Sequence, residues 1–451
     1  MSRSPVFVLM ALTSFFTLAS GSFGAQSRPV AELLSKDEVQ QAETLLEKLP
    51  RTAETVALHG EIDFRRGSFD KAERLYKEAL GMDSKNARAH FGLGKLAMAR
   101  GKHKQSVTEL KRAIELDPKE PIYRLYASDA FGIQKNYAEQ RKQVEEYLRL
   151  NPSDEDRVTE AKAGLEMLKA LGTSEIAVVT APDKPAPIRL RESLNLIFAR
   201  VMINGQGPYE FALDTGATQT VLSDKLIDTL GLQPVTSTIV YGIGGTGKVE
   251  SKLFNLKEVS IGDVKIKNLP VGTFNDPLLS QLADGILAAS AFSDFVVTVN
   301  YPSDQLELSR KNNSAPAGAE VIPVWFFSNL LLLPLDVNGQ RGNFIIDTGA
   351  VTTVLSLNMA AKLGITENTP GSKANVGISG VGGFEGTILK VENVTFKTAK
   401  NSETFPQVVA IDLKQLSKMI GTEVSGVAGY DFFSDYKVTL DYNAVEVRLS
   451  K

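Results

Sequence analysis

The segment Phe211-Ala212-Leu213-Asp214-Thr215-Gly216-Ala217 returns 133 residues later as Phe344-Ile345-Ile346-Asp347-Thr348-Gly349-Ala350, and the two copies stay in step beyond it. Thr220-Val221-Leu222-Ser223 is answered by Thr353-Val354-Leu355-Ser356, and Leu230-Gly231-Leu232 by Leu363-Gly364-Ile365. Upstream, Asn204-Gly205-Gln206 and Asn338-Gly339-Gln340 each supply a hairpin turn that feeds an aspartate-bearing strand. Further on, Gly242-Ile243-Gly244-Gly245 meets Gly380-Val381-Gly382-Gly383, and Gly285-Ile286-Leu287-Ala288 meets Gly426-Val427-Ala428-Gly429. The closing segments Val297-Thr298-Val299-Asn300-Tyr301 and Val438-Thr439-Leu440-Asp441-Tyr442 agree at an offset of 141. A chain that repeats itself this way folds as two related halves. Runs such as Phe198-Ala199-Arg200-Val201-Met202-Ile203, separated by Asn-Gly and Gly-rich turns, predict that both halves are mostly strand.

A different period precedes them. From about Ser35 to Leu171 the chain is rich in Ala, Leu, Glu and Lys at helical spacing. Gly60, Gly94 and Ser128 stand 34 residues apart, as do Phe69, His103 and Tyr137, and Leu80, Ile114 and Leu148. That period predicts paired helices stacked into a solenoid. Residues 172–188 contain Ala181-Pro182-Asp183-Lys184-Pro185-Ala186-Pro187 and have no periodicity, which reads as a semi-rigid linker. At the front, Arg3 is followed by an uncharged apolar run and then small residues around Ala19-Ser20-Gly21-Ser22, the pattern of an export signal. The expected organisation is therefore a signal peptide at 1–24, helical repeats at 35–171, a linker at 172–188, and β-rich lobes at 189–310 and 320–451. In fold class it is multidomain, an all-α solenoid followed by an all-β bilobal domain. Export, to the periplasm or outside the cell, rests on the leader alone. Its alternative is an uncleaved membrane anchor, against which the short apolar run and the lack of a following basic cluster both argue.

Absent residue types narrow the chemistry. The three histidines are His59, His90 and His103, there is no cysteine, and the formal net charge is -3. From Lys104 onward no Ser-His-Asp triad, Cys-His pair or histidine zinc site can be assembled. A slightly acidic chain has no general attraction for nucleic acid or anionic membranes. The stretch Gly242-Ile243-Gly244-Gly245-Thr246-Gly247-Lys248 nearly spells a phosphate loop. Val249, however, stands where a magnesium-binding hydroxyl belongs, and no helical pattern follows.

From Arg189 to Lys451 the sequence resembles the retropepsin-like aspartic peptidases, with two lobes in one chain as in the pepsin family. The resemblance implies that Asp214 and Asp347 are the catalytic pair. It further implies that Thr215, Gly216, Thr348 and Gly349 brace the loops, and that a flap over the substrate includes Tyr241, Gly242, Ile243, Gly244 and Gly245, with Gly380, Val381, Gly382 and Gly383 in the second copy. One departure is Ala288, where the family usually has glycine; the second copy keeps Gly429. The helical segment resembles tetratricopeptide repeats through Leu93-Gly94, Gly101, Ala113-Ile114 and Leu116-Asp117-Pro118, with a third unit in which Gln140 and Tyr147 replace small residues. Such repeats imply either a groove for a protein partner or a brace for the next domain.

The chemistry implied is self-contained. Two carboxylates within hydrogen-bonding distance cannot both ionise, so they share a proton and act as acid and base together. The ionised one draws a proton from water as the water attacks a peptide carbonyl, and the other donates to the forming oxyanion. No cofactor or metal is expected, and the expected partner is a peptide or protein substrate. The competing expectation is a non-catalytic peptide-binding scaffold of the same fold. A pairing of like lobes between two chains also stays open at this point.

Overall fold

The computed structural model describes residues 27–183, 185–241, 248–274, 279–309, 318–374 and 386–451. They divide into two compact units, one ending at Leu93 and the other beginning at Gly94.

The first unit is helical, with helices at 27–35, Val39–Leu46, Ala53–Arg65 and Phe69–Met82. Thr52 opens the third of these as a reciprocal cap, its hydroxyl accepting from the Thr55 N–H while the Thr55 hydroxyl accepts from the Thr52 N–H. The repeat period has a direct steric basis. A methyl group on Gly60 would come within 2.8 Å of the Tyr76 ring, and one on Gly92 would overlap it. Tyr76 is 1% exposed, so only glycines let the paired helices close on it.

In the second unit the helical pairs continue through His103–Leu116, Pro121–Ile133, Tyr137–Arg149 and Glu155–Leu171. The bulky residues of the third repeat are accommodated rather than disruptive. Gln140 lies over Gly132, and Tyr147 packs with Val144, Ala161 and Leu165. The helix Glu155–Leu171 buries Ala163, Met167 and Leu171 against Leu253 of the first lobe, so repeat and lobe share apolar surface. Lys135 pairs with Asp294 at 2.7 Å, and Arg100 stacks over the Trp325 ring at 5.0 Å. The segment expected as a linker is stitched into the lobes. Val178–Thr180 pairs antiparallel with Lys265–Lys267, and Ile188–Arg189 with Gln305–Leu306.

The two lobes repeat one topology. In the first, strand Gln206–Asp214 lies between antiparallel Leu196–Ile203 and parallel Gly285–Ala288, which in turn pairs with Val221–Ser223. In the second, Gln340–Ile346 lies between Leu330–Val337 and Gly426–Ala428, which pairs with Val354–Ser356. Ser223 and Ser356 then cap short helices, accepting from the Leu226 and Met359 N–H groups. A six-stranded sheet joins the lobes, with Val296–Asn300 antiparallel to Lys437–Asp441 at its centre. There Thr298 faces Thr439, their hydroxyls 2.9 Å apart, and the pseudo-twofold axis passes between them. This is the bilobal acid-protease architecture behind a tetratricopeptide-like helical region.

Candidate active site

Each aspartate sits where an apolar strand ends. Phe211, Ala212 and Leu213 precede Asp214 and are buried, as are Phe344, Ile345 and Ile346 before Asp347. The parallel neighbour of each strand places a glycine opposite the phenylalanine three residues before the aspartate, Gly285 beside Phe211 and Gly426 beside Phe344. A methyl group on Gly285 would come within 2.7 Å of the Val221 carbonyl, and one on Gly426 would overlap the Val354 carbonyl.

The two loops are locked to each other by four crossing hydrogen bonds. The Thr215 hydroxyl donates to the Ile346 carbonyl at 2.7 Å and accepts from the Thr348 N–H at 3.0 Å. Reciprocally, the Thr348 hydroxyl donates to the Leu213 carbonyl at 2.7 Å and accepts from the Thr215 N–H at 3.1 Å. Both threonines are buried, at 2% and 1% exposure. Every polar atom of the two hydroxyls is therefore satisfied across the pseudo-twofold axis, and neither loop can move without the other.

That lock brings the carboxyls into mutual hydrogen bonding within a single chain. Gly216 and Gly349 are required by the same closeness. A Cβ on Gly216 would fall on the Asp347 carboxyl, and one on Gly349 would lie 2.5 Å from Asp214 Cγ. The Gly216 and Gly349 N–H groups donate to Asp214 Oδ1 and Asp347 Oδ1, each at 2.8 Å. Asp347 is 4% exposed, whereas Asp214 is half-buried. Burial raises both carboxyls above their ordinary range. For Asp347 the charge of Asp214 and the hydrogen bond between them add to burial and push it well up. At a pH where free carboxyls have ionised, the pair therefore retains a proton.

Several supporting residues were not singled out by sequence. The hydroxyls of Thr220 and Thr353 accept from the N–H groups of Ala288 and Gly429, both at 3.1 Å, tying each loop to the end of the parallel neighbour strand. The methyl of Ala288 is fully buried and leaves that bond intact, so the departure from glycine does not displace the first loop. Asp431 receives the Thr353 N–H at 2.8 Å and hydroxyl at 2.6 Å, a support with no carboxylate counterpart in the first copy, where Ser290 stands. Tyr301 and Tyr442 cross over: burial and then the charge of Asp347 raise the Tyr301 hydroxyl, while burial and then Asp214 raise that of Tyr442. The signal for the threonines and tyrosines was present in the duplication, because Thr220/Thr353 and Tyr301/Tyr442 are matched positions.

Of the flap candidates, Tyr241 ends the strand Thr236–Tyr241, which pairs with Lys248–Leu253 as an antiparallel hairpin. Gly242, Ile243, Gly244, Gly245, Gly380, Val381, Gly382 and Gly383 lie outside the described residues.

Residues 199–291 and 333–432 match the aspartyl protease family, and residues 64–128 match the tetratricopeptide repeat. None of the curated proteins matches the chain. Among solved structures the chain is similar to an aspartic proteinase from Irpex lacteus, with 11% identity and a TM-score of 0.37 over 59% of this chain and 97% of that one. It is also similar to a mutant O-GlcNAc transferase from Thermobaculum terrenum, with 22% identity and a TM-score of 0.25 over 27% of this chain and 23% of that one. The aspartyl protease match thus falls in both β-rich lobes, and the tetratricopeptide-repeat match falls in the helical region that precedes them in sequence.

Proposed function

We propose that this protein is an exported aspartic endopeptidase that hydrolyses extended peptides, with Asp214 and Asp347 as the catalytic pair and the helical repeats as a binding surface for a protein partner or the substrate. The family match supports a peptidase, and the repeats support a protein-interaction role. The observation that carries the finer reading is the threonine lock, which holds two carboxyls in hydrogen-bonding contact at one buried point.

In this reading the more exposed Asp214 is the ionised member and takes a proton from a water between the carboxyls. The water oxygen bonds to the scissile carbonyl carbon, while Asp347 gives its proton to the carbonyl oxygen, leaving a neutral gem-diol. Collapse of the diol breaks the C–N bond: Asp347 takes back a proton from a diol hydroxyl as the carbonyl re-forms, and the proton on Asp214 passes to the departing amine, which restores the starting pair. The hairpin that contains Thr236–Tyr241 covers the peptide and excludes bulk water.

The test is hydrolysis of a peptide library by the purified chain from acidic to neutral pH, beside Asp214→Asn and Asp347→Asn. Loss of at least about 10³-fold in kcat in both variants is expected, since either change removes one of the two proton-transfer partners. Hydrolysis that survives both substitutions excludes this pair. Peptide binding without hydrolysis, indifferent to both, assigns the chain to the scaffold class instead.

A further inference from the structure

The pseudo-twofold axis makes the two ends of the cleft directly comparable, and they differ in chemistry. Each lobe carries a tight hairpin with two left-handed residues at its tip, Leu194-Asn195 in the first and Ser328-Asn329 in the second. These tips occupy matched positions. The Asn329 amide donates to the Thr218 carbonyl at 3.4 Å, so the second-lobe hairpin reaches across to the loop that follows Asp214. By the same symmetry the first-lobe hairpin reaches the loop that follows Asp347, where Val351 answers Thr218. Independent support comes from Tyr430, whose backbone N–H binds the Ala350 carbonyl of that second loop and whose hydroxyl is raised by burial and then by the charge of Glu192 on the first-lobe hairpin.

The residues at the two ends are unlike. One end carries Leu194, Val351 and Tyr430; the mirror-related positions carry Ser328, Thr218 and Ala289. Leu194 is 68% exposed and Val351 38%, and among the described residues only Met82 and Val321 are other large apolar side chains so open to solvent. Val351 follows Asp347 by four residues, as Thr218 follows Asp214, so the hairpin tips and the loops that carry the carboxyl pair are matched parts of the two lobes. Exposed apolar groups converging on a binding cleft mark the surface a ligand completes.

We infer that the cleft is polarised: the Leu194–Val351–Tyr430 end takes a bulky apolar side chain of an extended peptide, and the Ser328–Thr218 end takes small or polar residues. Substrate direction is then fixed by one apolar anchor on one side of the cleaved bond. This rests on the peptidase reading for the position of the bond, although the binding preference itself does not need hydrolysis.

The experiment uses two peptide series with leucine or serine at successive positions on either side of the bond. For the full chain, leucine is expected to raise kcat/KM about tenfold over serine at one position on one side only, the discrimination a few methylenes supply. In Leu194→Ser/Val351→Thr, which copies the opposite end, that ratio falls toward unity. In Ser328→Leu/Thr218→Val a second apolar preference arises on the other side. All four changes lie on exposed positions and leave the core untouched. A leucine-to-serine ratio unchanged in both double variants overturns the inference. Binding of the same peptides to the Asp214→Asn chain, read by fluorescence anisotropy, separates the two readings. A preference that depends on Leu194 and Val351 without any hydrolysis by the full chain defeats the peptidase and keeps the polarised cleft. Hydrolysis whose preference ignores these residues does the reverse.

Discussion

At the scale of residues, the pair's proton links folding to pH. An unfolded Asp347 ionises near the ordinary carboxylate value of about 4, whereas burial and the neighbouring Asp214 hold the folded group protonated well above it. A raised carboxyl contributes stability that is complete below about pH 4 and is lost as pH climbs through the folded value. Asp347→Asn carries no such charge. Its melting temperature relative to the parent should therefore rise between pH 4 and pH 8, and a gap independent of pH would contradict the buried shared proton. The threonine lock gives a second expectation. Thr215→Val leaves the buried Thr348 N–H and Ile346 carbonyl without their partner, a cost of about 1–3 kcal/mol in denaturant unfolding. The loops also lose register, so kcat should fall by about 10², while Thr215→Ser retains most of both. The aspartates and their threonines were legible because duplication exposes any residue that must occur twice. Asp431 was not, since it supports one loop only, and its first-copy position holds Ser290.

At the scale of elements, the strand that runs parallel beside each aspartate-bearing strand explains which glycines are structural. Gly426 has the Val354 carbonyl and the Phe344 ring where a methyl group would go. Gly426→Ala should therefore cost about 1–3 kcal/mol by overpacking. Ala288→Gly, where a methyl is already housed, should leave activity within about twofold, because the Ala288 N–H bond to Thr220 depends on backbone position alone. Thermal melts and kcat/KM on one peptide check both. Ala288 looks like a defect in sequence since the neighbours of a strand cannot be read from its own residues. The flanks of the proline tract were illegible for a related reason. Its composition predicts a spacer, yet Val178–Thr180 and Ile188–Arg189 find open strand edges in the lobes, and pairing with an edge needs backbone N–H and C=O groups rather than a hydrophobic pattern.

At the scale of the molecule, one sheet and one shared core tie the parts of the second unit together. The central pairing of Val296–Asn300 with Lys437–Asp441 makes the lobes a single β structure, so the aspartates of one chain meet without a second copy. Helix Glu155–Leu171 adds to that structure from outside, with Met167 and Leu171 buried on Leu253, a residue of the strand that pairs with Thr236–Tyr241. The 34-residue period announced the helices but not this contact, because the residues that stack repeats and those that meet a lobe are both apolar at helical spacing. A repeat array standing free of the lobes would melt separately from them. Sharing a core predicts otherwise. Met167→Ala removes a side chain that is 5% exposed and should cost about 2–4 kcal/mol. In calorimetry the loss should appear in the transition of the β lobes as well as of the helices, since the cavity opens between them. If the lobes melted at the parental temperature while only a helical transition moved, the helix would be a passenger on the lobe rather than part of its core.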